Sequence, residues 1–155
     1  MKKTNIKAED MQVFEILNEL VKIEDKATQI NWLKHHFRNH QPLQYVIKMN
    51  FCDTIQSLLP EGDPPHNQSE LDGPARASLW HYLKMFPRFV KSTQSQNLPM
   101  LKIEALFIEM LEAIEPDEAS MICLAKDKKL ESKWDLDISV FQEAFPGLAI
   151  QRKAK

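Results

Sequence analysis

Apolar residues along this chain recur at spacings of three and four, and the recurrence breaks at prolines and polar runs. Met11, Phe14, Leu17 and Val21 mark the inner face of a first helix over residues 8–23, widened by Ile16 and Leu20. Asp25 is placed to cap a second helix in which Ile30, Leu33 and Phe37 face inward. Asn39 to Pro42 interrupts the pattern, and Pro42 opens a third helix carrying Leu43, Val46, Ile47 and Phe51. Asp53 followed by Gln56 resembles a capping box for a short turn ending at Leu59. Leu79, Leu83, Phe86 and Val90 predict a further helix, thickened by Trp80 and Tyr82, that Pro87 ends or kinks. Lys91 to Asn97 and Glu131 to Asp137 read as connectors, and Ser139 with Gln142 caps a last short helix packing Phe141 and Phe145.

The clearest element lies between the two connectors. Ile103, Phe107, Met110 and Ile114 form one apolar helical face, with Leu106 and Leu111 beside it. Pro116 cannot continue that helix from its interior but suits the first turn of another, where its missing N–H is no loss. Asp117 and Glu118 then sit where the helix dipole favours acids, and Lys126, Lys128 and Lys129 where it favours bases. Ala119, Ile122 and Cys123 supply the second apolar face, which completes an αα-hairpin.

Composition agrees with this pattern. Valine and threonine are too few for a sheet, and the glycines at 62, 73 and 147 all fall between predicted helices. The reading is one all-α domain of about seven helices spanning residues 1–155, with an irregular loop at 60–74 and a frayed basic tail at 151–155. The loop, PEGDPPHNQSELDGP, combines four prolines with four acids. Net charge is −2, so nothing draws the whole molecule toward nucleic acid or an anionic membrane. No apolar run approaches the ~20 residues that span a bilayer, and the lysines after Met1 lead into Glu9 and Asp10 rather than a secretion signal. Cys52 and Cys123 are isolated, as buried thiols would be; a disulfide between them stays open, and nothing else points to an oxidising compartment. Asn67-Gln68-Ser69 matches a glycosylation sequon, which carries no weight in a cytosolic chain. The expected setting is the cytoplasm.

Candidate chemistry is sparse. His36 and His40 stand four apart, as two ligands on one helix would, but Phe37, Arg38 and Asn39 replace the glutamate of a zinc-protease motif and Arg38 repels a cation. No metal site and no cofactor is expected. Glu109, Glu112, Glu115, Asp117 and Glu118 crowd the hairpin turn without a Glu-x-x-His pairing, and no phosphate cradle or nucleophile elbow occurs, so they read as a solvated acidic face and the chain as a non-enzyme. Cys123 lies on an apolar face, away from the electropositive surroundings that activate a thiol. Two surfaces remain as contact candidates. Glu61, Asp63 and His66 in the loop, with Trp80 beside it, suit a protein partner, since interfaces favour aromatics. Lys126, Lys128, Lys129 and Lys133 would serve an alternative nucleic-acid contact limited to phosphates, because no arginine or glutamine reads outward from that helix.

Two blocks carry a resemblance. Leu58-Leu59-Pro60-Glu61-Gly62-Asp63-Pro64-Pro65, and Phe107 to Glu112 continuing through Asp117-Glu118-Ala119 to Leu124-Ala125-Lys126-Asp127-Lys128-Lys129-Leu130, are similar to an uncharacterised family of large contractile-tailed bacteriophages. Glu143-Ala144-Phe145-Pro146 fits the same pattern, while His66 and Ser57 depart from it, standing where the family carries an aromatic and a tryptophan. The resemblance implies a phage origin and supplies no catalytic residue. The expected role is therefore a phage-encoded interaction protein that binds a host or phage protein in the host cytoplasm, with a nucleic-acid accessory factor or a virion component as alternatives.

Overall fold

The computed structural model describes residues 11–52, 55–62, 64, 78–92, 95–148 and 150. Asp53, Asp63, His66, the sequon at Asn67 and the tail residues Arg152, Lys153 and Lys155 lie outside them. Among the described residues the fold is all-α, with seven α-helices and no strand: α1 (Val13–Leu20), α2 (Lys26–Phe37), α3 (Gln41–Phe51), α4 (Phe86–Phe89), α5 (Met100–Ala113), α6 (Pro116–Lys126) and α7 (Ile138–Ala144). Short 3-10 segments at Leu79–Met85, Leu130–Ser132 and Pro146–Leu148 complete it. All seven helices feed a single apolar core, in which α3 and α1 pack on α6, α2 on α7, and α4 on α5. The hairpin face predicted at Ile103, Phe107, Met110 and Ile114 is buried, as are Ala119, Ile122 and Cys123 opposite, and Pro116 opens α6. Cys52 and Cys123 are both buried free thiols.

The helix ends show why the boundaries fall where they do. Each helix leaves four N–H and four C=O groups without an internal partner, and here side chains from distant parts of the chain take many of them. Residues 8–10 of the expected first helix lie outside the described residues, and among those described it starts at Val13: Gln12 N–H donates to the Glu15 carboxylate (2.9 Å), and Val13 and Phe14 N–H donate to Glu118 of α6 (3.1 and 2.9 Å). It stops at Leu20, short of Ile23, where the Gln29 amide donates to the carbonyls of both residues. Asp25 caps α2 through Thr28 N–H at 2.9 Å, as its position predicts. His40 caps α3, its Nδ1 accepting from Leu43 N–H (3.2 Å) while Nε2–H donates to Met11 O (2.8 Å). At the far end of α3, the Lys128 ammonium donates to Met49 O and Cys52 O, both at 2.7 Å.

Three local expectations change. Residues 55–59 form no helical turn; Ser57 bridges Val90 in antiparallel fashion, with Leu58 N–H on Phe89 O (2.9 Å) and Lys91 N–H on Gln56 O (2.8 Å). The aromatic segment is a 3-10 stretch followed by α4, because Pro87 sits in the first turn of α4 and starts a new helix instead of ending one. Asp137, not Ser139, caps α7, accepting from Ser139 N–H at 2.9 Å.

Candidate docking site at the end of the hairpin

The lysine-rich end of α6 is where the two sequence blocks meet. Lys126, the last residue of α6, is buried with only 4% of its surface exposed. Its ammonium donates to Pro60 O (2.8 Å), Gly62 O (2.7 Å) and Asp127 Oδ1 (2.8 Å), which uses all three of its protons. The other Asp127 oxygen accepts Gly62 N–H at 2.8 Å. Gly62 has φ +90, a conformation costly for any residue with a Cβ, so glycine is the residue this clasp requires. Lys129 closes the outside of the clasp by an ion pair to Glu61.

Lys128 explains how the chain turns there. Lys129 N–H reaches Leu124 O (2.8 Å) and Lys128 N–H reaches Ala125 O (3.0 Å), the paired bonds of a Schellman ending. That ending needs a left-handed residue, and Lys128 occupies it with φ 60, where glycine is the usual choice. The retained side chain is the one that caps α3, so the strained residue joins α6 to α3. Asn50 of α3 adds a second tie, accepting Leu130 N–H (3.0 Å) and donating to Glu131 (2.9 Å).

The clasp holds the loop off the first helix of the hairpin and leaves a cleft of about 330 Å³ between them. Leu59, Pro60 and Pro64 form one wall, Phe107 and Ile108 of α5 the other, and Glu61 and Glu104 contribute carboxylates to the lining. Leu101, Glu104 and Ile108 share one face of α5 by their spacing, so the apolar wall extends toward the start of the helix. There Leu101 is 80% exposed and Met100 46%, the two large apolar residues left most open to solvent among the described residues.

The residues singled out from sequence are thus distributed unevenly. Glu61 belongs to the cleft lining, while Asp63 and His66 lie outside the described residues. Trp80 does not line the cleft; it packs edge-on against His40 with ring centres 5.0 Å apart, and its Nε1–H has no partner among the described residues. The four lysines do not make one outward patch. Lys126 and Lys128 point into the protein's own carbonyls, Lys129 pairs with Glu61, and only Lys133, lying 5.0 Å over the Trp134 ring, stays on the surface away from an acid. Glu104 and Ile108 were invisible as site residues; the clue available was an outward stripe at Leu101, Glu104 and Ile108 on a helix whose core face was already accounted for.

The acids of the hairpin turn include one that is not solvated. Glu118 is 1% exposed, and burial pushes its carboxyl up to about 7 despite the Phe14 and Val13 amides that favour its charge, with Glu15 and Glu115 adding to the rise. His40 is displaced the other way: burial holds the imidazole below its ordinary value, against the bond to Met11 O. Both His40 nitrogens are committed, and among the described residues no three His, Cys, Asp or Glu side chains gather as metal ligands. None of the described helices is long and apolar enough to cross a membrane.

A family profile for DUF6433, described as a family of unknown function, matches residues 16–132. The chain belongs to that family. The matched span holds the loop through Gly62, both helices of the hairpin and the clasp lysines, and stops before α7. No curated protein matches the chain.

Proposed function

We propose that this is a phage-encoded, non-enzymatic interaction protein of the host cytoplasm, and that it captures a protein partner in the cleft between the Pro60 loop and α5. The phage origin rests on the likeness of the two sequence blocks to a family of contractile-tailed phages. The observation that carries the docking role is the convergence of those blocks. The loop block and the end of the hairpin block are tied by two bonds from Lys126 and one to Asp127, and the product of that tie is an apolar cleft rather than more core.

The lining chemistry specifies the partner segment. An apolar anchor side chain fits between Leu59, Pro60, Phe107 and Ile108, and a Lys or Arg beside it meets Glu104. Selection of a randomised displayed peptide library on the intact protein tests this. Sequences pairing Leu, Phe or Trp with a neighbouring Lys or Arg are expected to be enriched, and to be lost when Ile108→Glu is the bait. Absence of that motif, or its undiminished enrichment on Ile108→Glu, contradicts the proposal.

A further inference from the structure

A second surface, sharing no residue with the cleft, carries charged side chains of one sign only, all of them cations. One groove of about 630 Å³ runs between α3, the Leu79–Met85 segment and α4, and a second of about 550 Å³ runs between α2 and the Pro146–Leu148 turn. The two share Gln44 and Leu148 in their linings, so they adjoin and form the two parts of a channel. Lys34 and Arg38 line it from α2, Lys48 from α3, and Lys84 and Arg88 from the segments across it. No Asp or Glu lines either part, and none of these five cations joins the ion pairs found among the described residues.

Each cation alone has a local excuse, such as Lys34 and Lys48 in the last turns of α2 and α3, where the dipole favours positive charge. Their convergence does not. Residues 26–52 and 73–103, which supply α2, α3, the aromatic segment and α4, contain no acid at all in a chain whose net charge is −2. The floor between the cations is apolar and aromatic: Leu83, Pro87, Leu148 and Tyr45, whose ring is fixed by stacking on Phe86 at 5.0 Å and 13°.

We infer that this channel binds single-stranded nucleic acid, its five cations following the phosphates and its apolar floor with Tyr45 receiving bases. An acidic protein face offers carboxylates mixed with cations, which an all-cation lining would repel in part. A polymer with one negative charge per unit and a flat apolar group between charges matches both halves of the lining. The side-chain amides of Gln41 and Gln44 in the channel supply donors and acceptors for base edges.

Fluorescence anisotropy of the intact protein with labelled oligothymidine tests the inference. Five phosphate contacts predict an affinity that falls about 100-fold between about 50 and about 200 mM salt. Lys48→Glu with Arg88→Glu is expected to weaken binding at least about 10-fold with helicity unchanged, as is Lys34→Glu with Lys84→Glu, a pair exposed enough to fold regardless. Lys102→Glu, exposed on α5 outside the channel, leaves binding as it was. No binding at low salt, or binding indifferent to both double reversals, overturns the inference. Equal or tighter binding of duplex DNA, or displacement of the oligonucleotide by polyglutamate at matched charge, reassigns the channel to another polyanion and overturns it as well.

Discussion

Two buried ionisable side chains hold the start of α1 from opposite directions. Glu118 takes the Val13 and Phe14 amides, and His40 takes the Met11 carbonyl. Their effects on stability have opposite signs. The folded Glu118 carboxyl titrates at about 7 against an ordinary 4.5, so between those values the folded chain keeps a proton that the unfolded chain has lost, and stability falls as pH rises across that window. His40 sits below its ordinary 6.5, so the unfolded chain gains a proton first, and stability falls as pH drops below 6.5. Urea unfolding of Glu118→Gln from about pH 5 to about pH 7.5 is expected to lose the downward trend and keep the rise due to His40. A variant with the same pH profile as the parent would show that Glu118 does not titrate in that window. Neither residue was legible as a structural key. A glutamate in a first helical turn reads as solvated, and its reach to a helix that begins 105 positions earlier is a tertiary fact.

At the scale of elements, apolar periodicity carried the helices well and their ends poorly. The hairpin was fully legible, because Ile103 to Ile114 repeat without interruption and Pro116 has a single favourable position. The ends were obscured because their caps come from elsewhere, as with Gln29 for α1 and Lys128 for α3. The lysines at the end of α6 carried a genuine dipole signal that concealed their use as caps and clasps. Two substitutions separate these roles. Lys128→Ala loses the bonds to Met49 O and Cys52 O and keeps the left-handed strain, whereas Lys128→Gly loses the bonds and relieves the strain. Glycine should therefore be the less destabilising by about 1 kcal/mol in chemical unfolding. Lys126→Met keeps the aliphatic stem but strands Asp127 and two loop carbonyls, and is expected to cost about 3 kcal/mol. Limited proteolysis of Lys126→Met should also speed up between Pro60 and Pro64 ahead of global unfolding, since only the Asp127 bond and the Lys129 ion pair then fasten the loop to the end of α6. Unchanged cleavage would mean that the Asp127, Lys129 and Val90 ties fix the loop without Lys126.

For the whole molecule, the near-neutral charge hides two regions of opposite charge. Acids gather on α5 and α6, beside an apolar cleft, while the acid-free stretches fold into a cationic channel. A sum over the sequence cancels the two, which is why the net charge argued against any polyanion; the runs without acid were the readable sign. The cleft is the central claim, and it depends on the clasp rather than on core packing. The affinity of a basic-apolar peptide selected on the parent protein, measured for Lys126→Met by titration calorimetry, tests that dependence most directly. The loop wall is displaced in this variant while Phe107, Ile108 and Glu104 are untouched. A loss of at least about 10-fold in affinity, about 1.4 kcal/mol, with unchanged helicity is the predicted result. Affinity equal to that of the parent would contradict the assignment of the clasped cleft as the docking site.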